Sequence, residues 1–156
     1  LYMKYYNCLN CGKNNIATRQ KVNKYCNNTC QLEFEYRQRI TNWLDNGKSW
    51  TSKEVPLWPR RYLLQVQNNK CTRCKCSKDQ IGRPLTMEYN HIDGKRFNNE
   101  FENGEMICVQ CHSLTHTYKA KNRTKITEEQ VKAERSHILQ LFAQRRREAL
   151  PDPTLH

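Results

Sequence analysis

Eight of the nine cysteines fall in four close pairs, and that spacing constrains this chain more than any other feature. The pairs are Cys8/Cys11, Cys26/Cys30, Cys71/Cys74 and Cys108/Cys111. Each pair is a tight turn offering two thiolates, and two such turns complete a tetrahedral zinc site. Disulfides fit less well, because an odd number of thiols leaves one over in any all-disulfide scheme. The opening residues also lack a secretory apolar stretch, since Leu1 to Tyr6 is short and already carries Lys4. A reduced, intracellular setting is therefore expected. Only 37% of the 156 residues are hydrophobic and mean hydropathy is −1.01, so a single large apolar core is not expected. Small folds with little core take their stability from cross-links or metals. Two structural zinc ions are expected, one on Cys8, Cys11, Cys26 and Cys30, the other on Cys71, Cys74, Cys108 and Cys111. Each site would contribute roughly 10–16 kcal/mol of apparent binding energy to folding. Cys76 is the thiol left over, read as a bystander because Cys71-x2-Cys74 has the better knuckle spacing.

Charge narrows the partner. The chain carries a net +12 with a pI near 9.4, a field that attracts polyanions. No apolar run approaches the length of a membrane span, and no basic helix has a strong apolar face, which disfavours a membrane partner. Nucleic acid is expected, without a choice between DNA and RNA on charge alone.

Four segments are distinguished along the chain: a zinc ribbon over 4–30, a helical basic linker region over 31–68, a core over 69–123, and a C-terminal helix and tail over 124–156. Leu32, Tyr36, Ile40, Trp43 and Leu44 keep helical spacing and predict a helix from Thr29 to Asn46, capped by Asn28 or Thr29 and ended by Gly47. Residues 48–57 read as linker. Pro59 suits the first turn of a helix from Trp58 to Gln67 that carries Arg60 and Arg61. A Gly82–Pro84 turn precedes a strand predicted over Leu85–Ile92. Its partner is expected over Glu105–Val109, with a helix from Gln110 to Lys121. Thr127 and Gln130 form a capping box for a last helix running to about Leu150, where Pro151 and Pro153 stop it. Arg145, Arg146 and Arg147 on that helix suit phosphate or a solvated face equally.

The residues able to do chemistry lie between the third and fourth cysteine pairs and just beyond them. Residues 85–94 read Leu-Thr-Met-Glu-Tyr-Asn-His-Ile-Asp-Gly, and residues 108–116 read Cys-Val-Gln-Cys-His-Ser-Leu-Thr-His. His112 and His116 are four apart, so on the predicted helix both rings share one face and offer two metal ligands. His91 comes from the facing strand.

This stretch resembles the HNH endonucleases, the ββα-metal family, in the zinc-stapled form of phage and homing-type members. His91-Ile-Asp-Gly matches the family's first motif histidine and its turn. Asn103 matches the middle asparagine, with Gly104 where an aliphatic residue is usual, and His112 matches the closing histidine. The N-terminal cysteine ribbon and Arg60-Arg61-Tyr62-Leu63-Leu64 also resemble segments upstream of the motif in phage members. The resemblance implies an α+β fold: a small zinc-rich protein with a ββα-metal core, an N-terminal four-cysteine ribbon and flanking helices. It implies a metal-dependent endonuclease that nicks duplex DNA as a monomer, dimerisation being what would allow a double-strand break. His91 would be the general base and Asn103 a brace for its loop. Asn90, His112 and His116 would hold one catalytic divalent ion, magnesium or manganese. Asp93 would shape the turn with Gly94, while Lys95 and Arg96, like Arg60 and Arg61, would meet the DNA backbone.

One position departs from the family. Asn90 stands where Asp or His is usual, and a neutral amide binds a hard cation less strongly than a carboxylate does. The site is accordingly expected to be weakened or inactivated, whether Asn90 is natural or introduced, and Asn90→Asp is expected to raise cleavage. Two other readings stay open: a non-catalytic zinc-dependent DNA-binding module, and an RNA-binding zinc protein.

Overall fold

The computed structural model describes residues 3–17, 23–47, 50–52, 54–77, 85–116, 118–119 and 127–143, the side chains at 137, 141 and 142 excepted. It is a mixed α and β structure of two compact units, and the division between them falls inside a helix, at Thr41 and Asn42. The expected Gly82–Pro84 turn, Arg145 to Arg147 and the helix end near Leu150 lie outside the described residues.

In the first unit, strands β1 (Tyr5–Asn7) and β2 (Asn14–Ile16) pair antiparallel, with Tyr5 opposite Ile16. Between them Gly12, at φ +71°, turns the chain so that its N–H donates to the Cys8 carbonyl at 2.9 Å. That left-handed position favours glycine. Helix α1 (Asn28–Asn46) begins one residue before the predicted start. Its cap is Asn27 rather than Asn28 or Thr29, because Asn27 Oδ1 accepts the Cys30 N–H at 2.8 Å. Of the apolar residues that keep helical spacing, Leu32 is exposed, while Ile40 and Trp43 are fully buried. Gly47 ends the helix as expected, at φ +78° with its N–H on the Trp43 carbonyl at 2.9 Å.

The second unit is organised around Trp43. Its ring packs against Trp50, Trp58, Tyr62 and Phe101 at centroid distances of 5.3–6.2 Å. These tilted and edge-on contacts are the arrangements aromatic pairs favour. Helix α2 (Leu57–Val66) buries Pro59, Tyr62, Leu63 and Val66, and packs on strand β4 (Gly104–Cys108). Strand β3 (Met87–His91) pairs antiparallel with β4, so that Asn90 faces Glu105 and His91 faces Gly104. The other edge of β4 is met in part by one side chain. Gln67 donates to the Met106 carbonyl at 2.7 Å and accepts the Met106 N–H at 2.9 Å, standing in for a further strand.

Helix α3 spans only Val109–Ser113, not the predicted Gln110 to Lys121. The ladder tightens as Leu114 N–H reaches Cys111 and Thr115 N–H reaches His112. The Thr115 hydroxyl also takes the His112 carbonyl at 2.8 Å, a local bond that competes with helix continuation. His116 therefore lies in the turn beyond α3, and the shared helical face expected for His112 and His116 does not form. Helix α4 (Glu128–Ala143) starts with the expected capping box: Thr127 N–H donates to Gln130 Oε1 at 3.0 Å and Gln130 N–H to Thr127 Oγ1 at 3.2 Å. Beside it, α4 packs on a single 3-10 turn, Phe101–Asn103. No helix among the described residues is long and apolar enough to cross a membrane.

Since Trp43 joins so many elements, Trp43→Ala should cost about 3–5 kcal/mol in urea unfolding. A loss under about 1 kcal/mol would mean that the aromatic cluster is not the core.

Candidate active site

The two cysteine tetrads assemble as the spacing predicts. The sulfurs of Cys8, Cys11, Cys26 and Cys30 lie within 4.8 Å of one another, as do those of Cys71, Cys74, Cys108 and Cys111. Cys76 stands outside the second set, its carbonyl accepting the Cys71 N–H at 3.0 Å. Cys108 ends β4 and caps α3, its sulfur accepting the Cys111 N–H. Both sets are able to hold metal ions. The second ties the chain before β3 to the junction of β4 and α3.

His91 ends β3, and the turn after it is tightly bonded. Gly94, at φ +71°, places its N–H on the His91 carbonyl at 2.9 Å. Asp93 accepts from the Lys95 N–H at 2.9 Å, from Asn98 Nδ2 at 2.7 Å and from Asn103 Nδ2 at 2.9 Å. Asn103 also donates to the Asn98 carbonyl, accepts the Asp93 N–H, and through its own carbonyl takes the Ile92 N–H. Asn103 is thus a fully buried brace for this loop, with Asp93 as its partner. From α4, Arg135 Nη2 reaches both Asn103 Oδ1 at 3.0 Å and Asp93 Oδ2 at 3.3 Å.

The His91 ring itself is held by Asn99, to which the sequence reading gave no role. Asn99 Nδ2 donates to the Trp50 carbonyl at 2.9 Å, which fixes the amide and turns Oδ1 towards His91 Nε2 at 3.1 Å. An amide oxygen only accepts, so Nε2 carries the proton and Nδ1 is left as the basic nitrogen. Tyr89 stacks edge-on against the ring at 4.9 Å. Burial lowers the His91 pKa below its ordinary 6.5; Arg96 adds to this, and Asn99 and Asp93 oppose it.

An open cleft of about 290 Å³ gathers Asn90, His91 and His112, with Arg96 and Lys119 at its sides. Its walls include Tyr89 and Tyr118, and the Tyr118 ring lies 5.1 Å from that of His112. His112 Nδ1 meets Glu88 Oε2 at 2.5 Å, another contact the sequence reading missed. Strand alternation puts Glu88 and Asn90 on one face, but only the register of α3 shows which histidine Glu88 meets. His116 does not line the cleft; its Nε2 is buried with no hydrogen-bond partner among the described residues. Lys95 and Arg96 are exposed on the loop, Arg61 is exposed on α2, and Arg60 is half-buried with Nε on the Val55 carbonyl.

A paired strand hairpin, a short helix, an anchored histidine and an adjoining cysteine tetrad can be set beside known proteins. The H-N-H endonuclease F-TflIV of Escherichia phage T5 is 36% identical over 103 residues, 65% of this chain and 43% of that protein. Over that stretch the chain is similar to an H-N-H endonuclease. It spans under half the length of the phage enzyme it matches. No family model matches the sequence, and no solved structure matches it.

An NMR titration without added magnesium or manganese should place the His91 midpoint below 6.5. Between that lowered value and 6.5 the unfolded chain binds the proton more readily, so stability should rise with pH across that interval. A midpoint at or above 6.5 would contradict the burial of this ring.

Proposed function

We propose that this chain is a metal-dependent endonuclease that hydrolyses a phosphodiester bond of duplex DNA, nicking one strand as a monomer. In this reading β3, β4 and α3 form the ββα-metal core of the H-N-H enzymes. The observation that carries it is the anchored His91: its Nε2–H is engaged by Asn99, and burial keeps the ring neutral at neutral pH. A neutral imidazole with a free Nδ1 is ready to take a proton from an attacking water. Arg96 and Lys119 beside it offer positive charge to a phosphate.

The oxygen and nitrogen donors in and beside the cleft fit a divalent ion such as magnesium or manganese. Asn90 and His112 would hold it, Glu88 fixing His112 through Nδ1 and leaving Nε2 as the ligand atom. His116, outside the cleft lining, is left out of this set. When bound, the ion would supply positive charge to the scissile phosphate and the leaving oxygen. Asn103 and Asp93 keep the loop that follows His91 in place. Arg60, Arg61, Lys95 and Arg96 would contact the DNA backbone.

Zinc is the proposed occupant of the two tetrads. Thiolates 2.3 Å from one tetrahedral ion lie about 3.8 Å apart. Cys11 and Cys26, and likewise Cys74 and Cys108, are separated by 3.8 Å, which supports that assignment, while Cys26 and Cys30 lie closer, at 3.3 Å. The purified chain should carry two zinc ions by elemental analysis, and Cys71→Ser should remove one of them together with cooperative unfolding of the hairpin. Full zinc content in that variant would refute the second site.

Plasmid nicking tests the function. With magnesium or manganese the chain should convert supercoiled DNA to the relaxed form, and His91→Ala should slow this by about 10²–10⁴-fold. Equal rates in the two proteins would remove His91 as base. Salt-sensitive DNA binding without any metal-dependent nicking would leave a zinc-stabilised binding module instead.

A further inference from the structure

One carboxylate beside the cleft has no part in the reading above. Glu105 stands directly across the hairpin from Asn90 and is 2% exposed. Its oxygens accept from Thr72 Oγ1 at 2.5 Å, from Arg73 Nε and Nη2 at 3.1 and 2.8 Å, and from Asn90 Nδ2 at 2.9 Å. All four partners are donors, which is the pattern an ionised carboxylate requires. Arg73 reaches on to Glu134 of α4 at 3.1 Å, so a single guanidinium serves two carboxylates.

We propose that Glu105 is a positioning residue for Asn90, and that position 90 is built for a neutral oxygen donor rather than for the aspartate usual in the family. This rests on the cleft being a divalent-metal site. By engaging Nδ2, Glu105 fixes which way the Asn90 amide faces, with Oδ1 turned away from the carboxylate. It also places a carboxylate, paired with Arg73, one side chain away from that atom. The carboxylate that position 90 lacks is thus supplied from the next strand.

Two effects compete when Asn90 becomes aspartate. A charged ligand attracts a hard cation more strongly than an amide does. Against this, the new oxygen would replace a donor 2.9 Å from Glu105 Oε1, setting two buried carboxylates face to face. Like charges at such a separation are strongly unfavourable in a buried site, and Arg73 already serves two partners. Repulsion at hydrogen-bond distance outweighs the gain, so the expected rise in cleavage for Asn90→Asp is reversed. Asn90 is the residue that this hairpin accommodates.

A charge exchange across the hairpin tests the pair. The full zinc-loaded chain is compared with Asn90→Asp, Glu105→Gln and the double variant, which keeps one charge and one donor but swaps their places. Thermal midpoints are measured without magnesium or manganese, and manganese affinity is read from the paramagnetic resonance signal of the free ion. Asn90→Asp should lower the midpoint by about 5 °C or more and bind manganese no more tightly than the parent. Glu105→Gln should also lower the midpoint, and the double variant should recover most of both properties. A purely structural role for Glu105 predicts no such recovery, since two disruptive changes would be at least as harmful as one. Tighter manganese binding by Asn90→Asp at an unchanged midpoint would overturn the proposal, as would a double variant no better than the worse single one. Nicking by the parent chain is scored separately. Recovery without nicking upholds the pair and fails the nuclease reading, while nicking without recovery does the reverse.

Discussion

The position of His91 depends on one side chain, Asn99, and on what holds that side chain still. Asn99 is 1% exposed and is gripped at three points. Its carbonyl takes Trp43 Nε1 at 2.6 Å, its Nδ2 donates to the Trp50 carbonyl, and its Oδ1 meets His91 Nε2. Each bond uses a different atom, so together they leave the amide no rotation and the imidazole one tautomer. The first two partners belong to the aromatic cluster, so the core of this unit and the orientation of the His91 ring are one arrangement. Substrate or metal need not organise His91, because packing around Trp43 already has.

The loop beyond His91 is secured by different means, since it runs across the surface and has little apolar area to bury. Polar satisfaction replaces packing there. Asp93 and Asn103 exchange two hydrogen bonds, Asn98 adds two more, and Arg135 closes the group from α4. Such networks are costly when half complete and rigid when complete. At the opposite end of the hairpin the Cys71, Cys74, Cys108 and Cys111 set plays the matching part. A composition too polar for a large core thus yields a hairpin restrained at both ends, by sulfur clustering at one and by hydrogen bonds at the other.

Elements with local causes were legible in the sequence. Cysteine spacing gives both tetrads, Pro59 and the apolar pattern give α2 to within a residue, and Thr127 with Gln130 gives the start of α4. In each case the residues that cause the feature are neighbours in the chain. Legibility failed where a competing local bond or a distant partner decides. Helix periodicity continues past Ser113, but the Thr115 hydroxyl takes the His112 carbonyl and the helix stops, which separates His116 from His112. Asn27 outcompetes Asn28 and Thr29 as the cap, although all three are able to cap. The candidate site was legible as a set of motif residues. Glu88, Asn99 and Glu105 were not, because their roles follow from strand register and from contacts with α3 and Trp50.

Gly104 shows how register turns a departure from the family pattern into a requirement. An aliphatic side chain is usual there, yet a Cβ at this position would collide with the Tyr89 ring, 2.7 Å from Cζ and closer still to the hydroxyl. Tyr89 lies over the glycine, with Met106 as its cross-strand partner and the Trp50 ring at 6.5 Å. From that seat its ring supports His91 edge-on. The Tyr89 hydroxyl is buried without a hydrogen-bond partner among the described residues, and burial pushes its pKa well above 10. An uncharged aromatic surface beside the imidazole helps to keep the ring neutral, as removal from water disfavours the cation. The bare glycine, the buried tyrosine and the neutral histidine are therefore linked: removing the side chain at 104 makes room for the ring at 89, and that ring sets the surroundings that keep the His91 imidazole neutral.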